Sequence, residues 1–309
     1  MNNDWQMQSD TMNAPCPEMS HYDTVCHCCG LDYSKVPIIK AKFLNNWEIS
    51  LLFPILVSFI ILSSYTVFEV ILTKVIPWLD WKYQLLMTIL MLLFIISYYV
   101  GILEGPGYLP FYYPYKMHED GEDPHELGGL VTTQEQFDFV KSQIPMQRIK
   151  YFKTARRIVI RPDHFCLWFA TFIGKRNHKL FFLFNFWGFI YISLFFGFEV
   201  YGLYKIINDS QLMKYFVPVI IYIFLAFYFV IMTGHFTIDV FYHLCKNVTT
   251  FELMQKTPPQ RRYKVSYSEG FIEVFGPVEK WYLWLLPIPA FYGIDDYTLV
   301  STSMSSKML

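Results

Sequence analysis

Charge is scarce in this chain of 309 residues, since Asp, Glu, Lys and Arg make up 17% of it, against about 25% in a soluble globular domain. The net charge of −1 gives neither sign an excess, so we expect no nucleic acid as a partner. The polar, acidic N-terminal part has no basic segment followed by an apolar run. We therefore expect no cleavable signal peptide.

Cysteine is scarce as well. The six cysteines are too few and too unevenly placed for a disulfide framework, so free thiols in a reducing compartment are expected; they are Cys16, Cys26, Cys28, Cys29, Cys166 and Cys245. An N-terminal group leaves two readings open, either a zinc knuckle or free thiols that are themselves acylated; it consists of Cys16, His21, Cys26 and Cys29. Cys245 is either a lipidation site or an ordinary interfacial cysteine.

Long apolar blocks account for the hydrophobic content of 54%. A bilayer core about 30 Å thick needs roughly 20 mostly apolar residues per helix. Four stretches satisfy this requirement and carry Trp or Tyr near their ends, as membrane interfaces favour. The predicted spans are 47–72, 83–103, 180–204 and 215–244. Acidic residues, among them Glu199, are expected only near span ends.

Basic residues concentrate between the second and third predicted spans, whereas the two other connections have few. The positive-inside rule therefore places this central loop and both termini in the cytosol. The loop opens with a turn at Gly105-Pro106-Gly107 and later contains Ile158-Val159-Ile160, which predicts a short strand. We predict an all-α integral membrane protein of four transmembrane helices with a small cytosolic module containing short strands. Its segments are the N-terminal segment 1–46, spans 47–103, catalytic loop 104–179, spans 180–244 and C-terminal tail 245–309.

A possible nucleophile lies in the central loop, where Asp163, His164 and Cys166 stand together. A cysteine attacks as the thiolate, a histidine can accept its proton, and a carboxylate can orient that histidine. Nearby basic side chains favour the thiolate and attract a polyphosphate ligand; they are Lys153, Arg156, Arg157 and Arg161. Adjacent residues need not converge in space, so chance occurrence in a loop is the alternative.

The order of motifs resembles the DHHC family of protein S-acyltransferases (palmitoyltransferases). Each motif lies at the expected distance from a predicted span. The motifs are Gly105-Pro106-Gly107-Tyr108-Leu109-Pro110 (family DPGxxP), Asp163-His164-Phe165-Cys166 followed by Trp168, Ile173-Gly174 with Asn177 and Phe181, Thr249-Thr250-Phe251-Glu252 (family TTxE), and Val274-Phe275-Gly276 with Trp284-Leu285-Leu286-Pro287. Gly105 replaces the usual Asp, and Gly270 replaces an Asn of the C-terminal motif.

The resemblance implies transfer of a long-chain acyl group from acyl-CoA (palmitoyl-CoA) through a Cys166 thioester to cysteines of substrate proteins. His164 would be the base and Asp163 its orienting partner, while Thr250 and Glu252 either tie the C-terminal tail to the catalytic loop or cap a short helix. Expected partners are proteins with membrane-proximal cysteines and the lipid bilayer, with an accessory protein left open. The endoplasmic reticulum or Golgi apparatus is the expected location.

Zinc is where the chain departs most from the family, whose two sites each use three Cys and one His. The matching positions hold no usable tetrahedral set; they are Asp138, Lys141, Tyr151, Phe152, Ala155, Ile158, Phe165 and Phe172. Structural zinc is worth about 10–16 kcal/mol in small domains, and each buried apolar side chain about 1.5–3 kcal/mol. An apolar cluster could therefore replace the metal. The alternative function is a catalytically inactive membrane scaffold, favoured by this loss and by Leu167 and Thr171 in place of the usual Pro and Asn.

Overall fold

The computed structural model describes residues 52–107, 148–152, 157–254, 267–294 and 299. Four of its helices are long and apolar enough to cross a membrane, which confirms the predicted fold class. The four helices are α1 (Leu52–Val70), which continues as a π-helical turn (Ile71–Val75), α2 (Trp81–Glu104), α3 (His178–Asn208) and α4 (Phe216–Lys246), the last preceded by a 3-10 turn (Ser210–Tyr215).

The helices extend beyond the predicted spans because polar residues at their ends continue the helical backbone. The third predicted span ended at residue 204, whereas α3 reaches Asn208. Glu199 therefore lies nine residues before the end of α3 rather than at its end, and its side chain is fully buried. Residues 47–51 of the first predicted span lie outside the described part of the chain.

The second helix ends where the glycines predicted a turn. Its start is capped by Asp80, whose side chain accepts a hydrogen bond from the backbone N–H of Lys82 at 3.2 Å. Gly105 ends the helix with φ 67° and ψ −179°, a conformation that is essentially restricted to glycine. This conformation gives a physical reason for glycine at the position where the family has an Asp.

The central loop forms two short antiparallel hairpins. In the first, β1 (Ile149–Phe152) pairs with β2 (Arg157–Ile160), which confirms the predicted strand. In the second, β3 (His164–Cys166) pairs with β4 (Thr171–Ile173). The second hairpin was not predicted, because three-residue strands are too short to show an alternating pattern.

Close packing around α3 holds the bundle together. Gly188 lets α2 approach, since a Cβ at this position would lie 2.7 Å from the ring of Phe94. The ring of Phe94 packs against those of Phe184 and Tyr191, with centroids 4.9 and 6.0 Å apart. These buried rings form the interior of the bundle next to the hairpins.

The segments after α4 fold back to the end of the bundle that carries the hairpins. They comprise α5 (Thr250–Met254), α6 (Tyr267–Phe275) and a 3-10 helix (Val278–Leu283). Gly270 lets α6 contact the end of α4, because a Cβ there would lie 2.0 Å from the carbonyl oxygen of Leu244. This contact excludes the Asn that the family usually has at that position.

Candidate active site

The second hairpin presents His164 and Cys166 on the same face, because side chains two residues apart on a strand point the same way. The backbone N–H of Asp163 donates to the carbonyl of Ile173 at 2.8 Å, which extends the pairing by one residue. The turn between the strands places Ala170 at φ 51°. The spacing of the tetrapeptide therefore follows from strand geometry.

Asp163 is buried, with 3% of its surface exposed, and its carboxylate is held from two sides. The Nδ1–H of His164 donates to Oδ2 at 2.8 Å. The backbone N–H of Thr250 donates to Oδ1 at 2.8 Å, and its hydroxyl lies 3.4 Å from Oδ2. Burial alone would raise the pKa of Asp163, but the charges of His178 and His164 and these hydrogen bonds lower it.

His164 connects the carboxylate to the sulfur. Burial alone would lower its pKa, but hydrogen bonds with Asp163 and Cys166 and the charge of Asp163 raise the pKa to about 10. The edge of its ring packs against the ring of Phe181, with centroids 5.0 Å apart. The imidazole is thus oriented by contacts on two sides and carries a proton at neutral pH.

Cys166 lines a cavity that runs between the transmembrane helices. The lining is almost entirely apolar or aromatic and includes Phe181, Phe184, Phe195, Phe229 and Phe236. Along α3 the lining extends from Phe181 to Phe195, about 21 Å at 1.5 Å per residue. A long, narrow apolar slot of this kind fits an extended hydrocarbon chain.

Two hydroxyl groups lie deep in this cavity. The hydroxyls of Ser64 and Tyr191 are 3.0 Å apart and share a hydrogen bond between α1 and α3. Tyr191 is ten residues beyond Phe181, about 15 Å further along the helix. This pair therefore lies in the deeper half of the slot, before its end at Phe195.

Side chains distant in sequence fix the hairpin against the bundle. The hydroxyl of Tyr98 on α2 donates to the carbonyl of Trp168 at 2.6 Å. Asn177 donates to the carbonyls of Phe172 at 3.0 Å and Gly101 at 3.3 Å, and it accepts from the N–H of Gly174 at 2.9 Å. The role of Tyr98 was not predicted, because it lies within an apolar span where nothing distinguishes it from a packing residue.

A buried ion network lies behind the hairpin. Arg148 donates to Glu252 at 2.9 Å and also to Glu273 and the backbone of Asn247. Burial alone would raise the pKa of Glu273, but the charges of Arg161, Lys175 and Arg148 lower it. The partners are about a hundred residues apart in sequence, so no local pattern predicts the network.

Glu252 has both roles expected for it. Its carboxylate accepts from the backbone N–H of Thr249 at 2.8 Å while the Thr249 hydroxyl accepts from the N–H of Glu252 at 3.2 Å, which is a capping box. Its ion pair with Arg148 links the same short helix α5 to the strand module. Capping and docking are therefore performed by one side chain.

Arg161 corrects one expectation, because only 1% of its surface is exposed. Its guanidinium donates to Nδ1 of His178 at 2.7 Å and lies 3.6 Å from Glu273. A phosphate in solvent cannot reach it. Lys153 and Arg156 lie outside the described residues, as does the side chain of Arg157.

Three of the positions that hold zinc ligands in the family form an aromatic cluster in this chain. The ring of Phe172 lies 4.4 Å from that of Phe152 and 5.3 Å from that of Phe165, measured between centroids. Val159 and Phe251 complete this phenylalanine cluster. Phenyl rings donate no lone pair to zinc, so these positions do not fit the metal that the family uses.

The other zinc-related expectations reach beyond the described structure. Among residues 52–107, 148–152, 157–254, 267–294 and 299, no group of three or more His, Cys, Asp or Glu side chains is arranged around a common point. Asp138, Lys141, Ala155 and the N-terminal group Cys16, His21, Cys26 and Cys29 lie outside those residues. Cys245 is half-buried at the end of α4.

Comparisons with known proteins find similar sequences in the part of the chain that forms this site. The family model described as DHHC palmitoyltransferase matches residues 131–257, which include both hairpins, Asp163, His164, Cys166 and α5. The chain is 28% identical over 220 residues to "Probable protein S-acyltransferase 12" of Arabidopsis thaliana, covering 68% of this chain and 74% of the relative. Over residues 131–257 the chain is similar to the DHHC family.

Fungal relatives match over shorter parts of their length. "Palmitoyltransferase PFA3" of Yarrowia lipolytica is 32% identical over 164 residues, or 43% of this chain and 40% of the relative. "Palmitoyltransferase pfa3" of Emericella nidulans is 28% identical over 200 residues, or 58% of this chain and 37% of the relative. The chain thus spans less than half of each of these two fungal proteins.

Proposed function

We propose that this chain is a protein S-acyltransferase that carries a long-chain acyl group on Cys166. The observation that supports the proposal most is that the sulfur of Cys166 adjoins both a histidine–carboxylate pair and an apolar cavity. Cys166 lies beside the Asp163–His164 pair, and it also lines the apolar cavity between the helices. Transfer of an acyl group needs a nucleophile beside a cavity that can hold a hydrocarbon chain. A catalytically inactive scaffold would not need this arrangement.

In the reactive state His164, acting as the base, already holds the proton of the Cys166 thiol, and in the first step the thiolate sulfur attacks the thioester carbonyl of acyl-CoA. The new carbon–sulfur bond forms as the bond to coenzyme A breaks, and the coenzyme A thiolate takes up a proton. Asp163 stabilises the imidazolium and fixes its orientation. Similarity to the DHHC palmitoyltransferase family model implies acyl-CoA as the donor.

In the second step, the thiolate of a substrate cysteine attacks the Cys166 thioester and receives the acyl group. Cys166 leaves as the thiolate and is restored. The apolar cavity holds the chain during both steps, so the acyl group need not cross water. Because Cys166 lies only twelve residues before α3 begins, a substrate cysteine must lie close to the membrane surface.

The polyphosphate of coenzyme A needs exposed cations, which Arg161 does not provide. We assign the phosphates, as a group, to the three other basic side chains noted near Cys166 in the sequence; these are Lys153, Arg156 and Arg157. The positive-inside pattern supports a cytosolic module and cytosolic termini, in line with the cytosolic pool of acyl-CoA. The segments 1–46, 104–179 and 245–309 would then face the cytosol, in the endoplasmic reticulum or Golgi membrane.

The test is transfer of radiolabelled palmitate from palmitoyl-CoA to the purified full-length protein in nanodiscs. We expect label on the wild type, release of that label by hydroxylamine, and no label on Cys166→Ser, since a hydroxyl is far less nucleophilic at neutral pH. Cys245→Ser is the matched control, and it should label like the wild type. Label retained by Cys166→Ser would contradict the mechanism, and a folded wild type that takes up no label would favour the inactive scaffold.

A further inference from the structure

The segment Val278–Ile288, which follows α6, exposes an apolar surface that is unusual for a soluble tail. Six of its side chains are 39% to 66% exposed, namely Val278, Trp281, Tyr282, Leu285, Leu286 and Ile288. Its two charged residues, Glu279 and Lys280, lie at its start, and no charged side chain follows from Trp281 to Ile288. A contiguous apolar patch of this kind marks an interaction surface.

The position of this segment along α3 indicates whether it lies at the level of the membrane or in water. The indole N–H of Trp187 donates to the carbonyl of Leu285 at 3.0 Å. Trp187 is nine residues after the first residue of α3, His178, about 14 Å along the helix. A helix of 31 residues is about 46 Å long, so centring it on a 30 Å hydrocarbon core leaves about 8 Å of its start outside. Leu285 then lies about 5 Å inside the hydrocarbon boundary.

Several carbonyl groups of the segment have hydrogen-bond partners within the protein. Lys179 on α3 donates to the carbonyls of Leu283 at 2.7 Å and Ile288 at 2.8 Å. The carbonyl of Leu286 accepts from the N–H of Ile288 at 2.7 Å. Irregular backbone is tolerated at membrane depth only where its polar groups find partners within the protein. In a tail exposed to water, solvent could donate hydrogen bonds to these carbonyls, and a buried lysine would not be needed to do so.

Packing fixes the segment to the bundle on its inner side. The ring of Trp284 lies 5.6 Å from that of Phe275, and Phe275 lies 5.5 Å from Phe182 on α3. The inner side is therefore covered by protein, while the exposed apolar side faces the same surroundings as the neighbouring lipid-facing helices. The partner that is continuous with those helices is the bilayer itself.

We propose that Val278–Ile288 lies in the bilayer leaflet next to the strand module, as a membrane-inserted anchor of the C-terminal region. With this placement, the C-terminal region 245–309 is not wholly cytosolic, because residues 278–288 lie in the membrane. Since Phe181, two residues after Lys179, contacts His164, the anchor also fixes the level at which the hairpin meets the membrane. The proposal does not depend on the proposed transferase activity.

The test is the accessibility of a nitroxide spin label in the full-length protein reconstituted in liposomes. The label is placed at Tyr282→Cys, with the native cysteines replaced by serine. Tyr282 is 61% exposed, so the label should not disturb packing. Glu269→Cys, at an exposed position on α6, is the matched control.

At Tyr282 we expect efficient relaxation by molecular oxygen, which concentrates in lipid, and little relaxation by a water-soluble nickel chelate. At Glu269 the nickel chelate should dominate. Equal access of the nickel chelate to both labels would overturn the proposal. Photo-crosslinking of the wild type by a phospholipid with a diazirine near its headgroup is an independent measurement. It should modify peptides containing 278–288, and crosslinks confined to the four long helices would contradict the proposal.

Discussion

Asp163 is a residue whose burial is tolerable only because each of its oxygens has a partner. An unpaired buried carboxylate is strongly unfavourable, yet Oδ1 accepts from the backbone of Thr250 and Oδ2 from His164. The pKa of Asp163 is lowered and that of His164 is raised to about 10. The stability that His164 contributes is therefore complete below its ordinary pKa of about 6.5 and is lost as pH rises through about 10.

The same coupling predicts a pH effect at this residue. Asp163→Asn removes the charge that raises the pKa of His164, so the imidazolium should lose its proton at lower pH. We expect the alkaline limit of Cys166 acylation to move down by more than about one pH unit, and the rate at neutral pH to fall by up to about 10⁴-fold, as in other triads. The measurement is the rate of labelling by palmitoyl-CoA between pH 6 and pH 10.

Asp239→Asn is the matched control, because Asp239 lies near a different histidine, His243, at 3.6 Å. It should leave the pH profile unchanged. An unchanged alkaline limit in Asp163→Asn would show that Asp163 does not set the protonation of His164.

At the scale of elements, we expect helices α1 and α3 to determine how long an acyl chain the cavity accepts. Ser64 and Tyr191 meet deep in the slot, and both helices are held there by the buried rings of the bundle. Volume added at this level shortens the slot without touching the hairpin that carries Cys166. Chain-length preference is therefore separable from the chemistry of transfer.

Ser64→Phe should shift the preferred donor from palmitoyl-CoA to a shorter acyl-CoA, because the larger side chain fills the deep end. Competition between acyl-CoAs of different length for labelling of Cys166 measures the shift. Ser63→Phe makes the same change one residue away, where the side chain does not line the cavity, and should keep the wild-type preference. Identical preferences for Ser64→Phe and wild type would show that the chain lies elsewhere.

The phenylalanine cluster connects the two hairpins, which hold positions of zinc ligands in the family, and it also includes α5. Phe152 lies on β1, Phe165 and Phe172 on β3 and β4, and Phe251 on α5, and their rings are in edge or tilted contact. Fully burying one such side chain contributes about 1.5–3 kcal/mol. Apolar contact thus connects both hairpins and the capping helix.

This cluster predicts the zinc content of the purified protein. The full-length chain should bind at most one equivalent of zinc, and a Cys26→Ser/Cys29→Ser variant should bind none. Elemental analysis after dialysis against excess zinc measures both. Two equivalents retained by the variant would mean that the central loop holds zinc through ligands other than those at the aligned positions.

At the scale of the whole molecule, the sequence predicts the parts that depend on local pattern. Four apolar stretches are sufficient to place the membrane helices, and the glycines at 105–107 locate the end of α2. The support of the site depends on contacts between distant positions, such as Tyr98 with Trp168 and Arg148 with Glu273. These contacts join residues far apart in the sequence, so no local sequence pattern predicts them and only the three-dimensional structure reveals them.

Orientation in the membrane is a prediction about the molecule as a whole. With a cytosolic strand module, a membrane-impermeant maleimide should label Cys245 in sealed microsomes from the cytosolic side, because Cys245 is at the same end of the bundle. The measurement compares labelling of intact and detergent-opened vesicles in a chain that retains only this cysteine. Labelling that requires opened vesicles would place the module in the lumen, away from cytosolic acyl-CoA.

The central claim is that Cys166 itself becomes acylated. Mass spectrometry of peptides from the full-length protein, after incubation with palmitoyl-CoA, tests this claim directly. The proposed mechanism predicts a palmitoyl mass on the peptide that contains Cys166, absent after hydroxylamine treatment and absent from His164→Ala. A well-folded protein whose Cys166 peptide stays unmodified, or whose adducts are confined to Cys245 and the N-terminal cysteines, would contradict it.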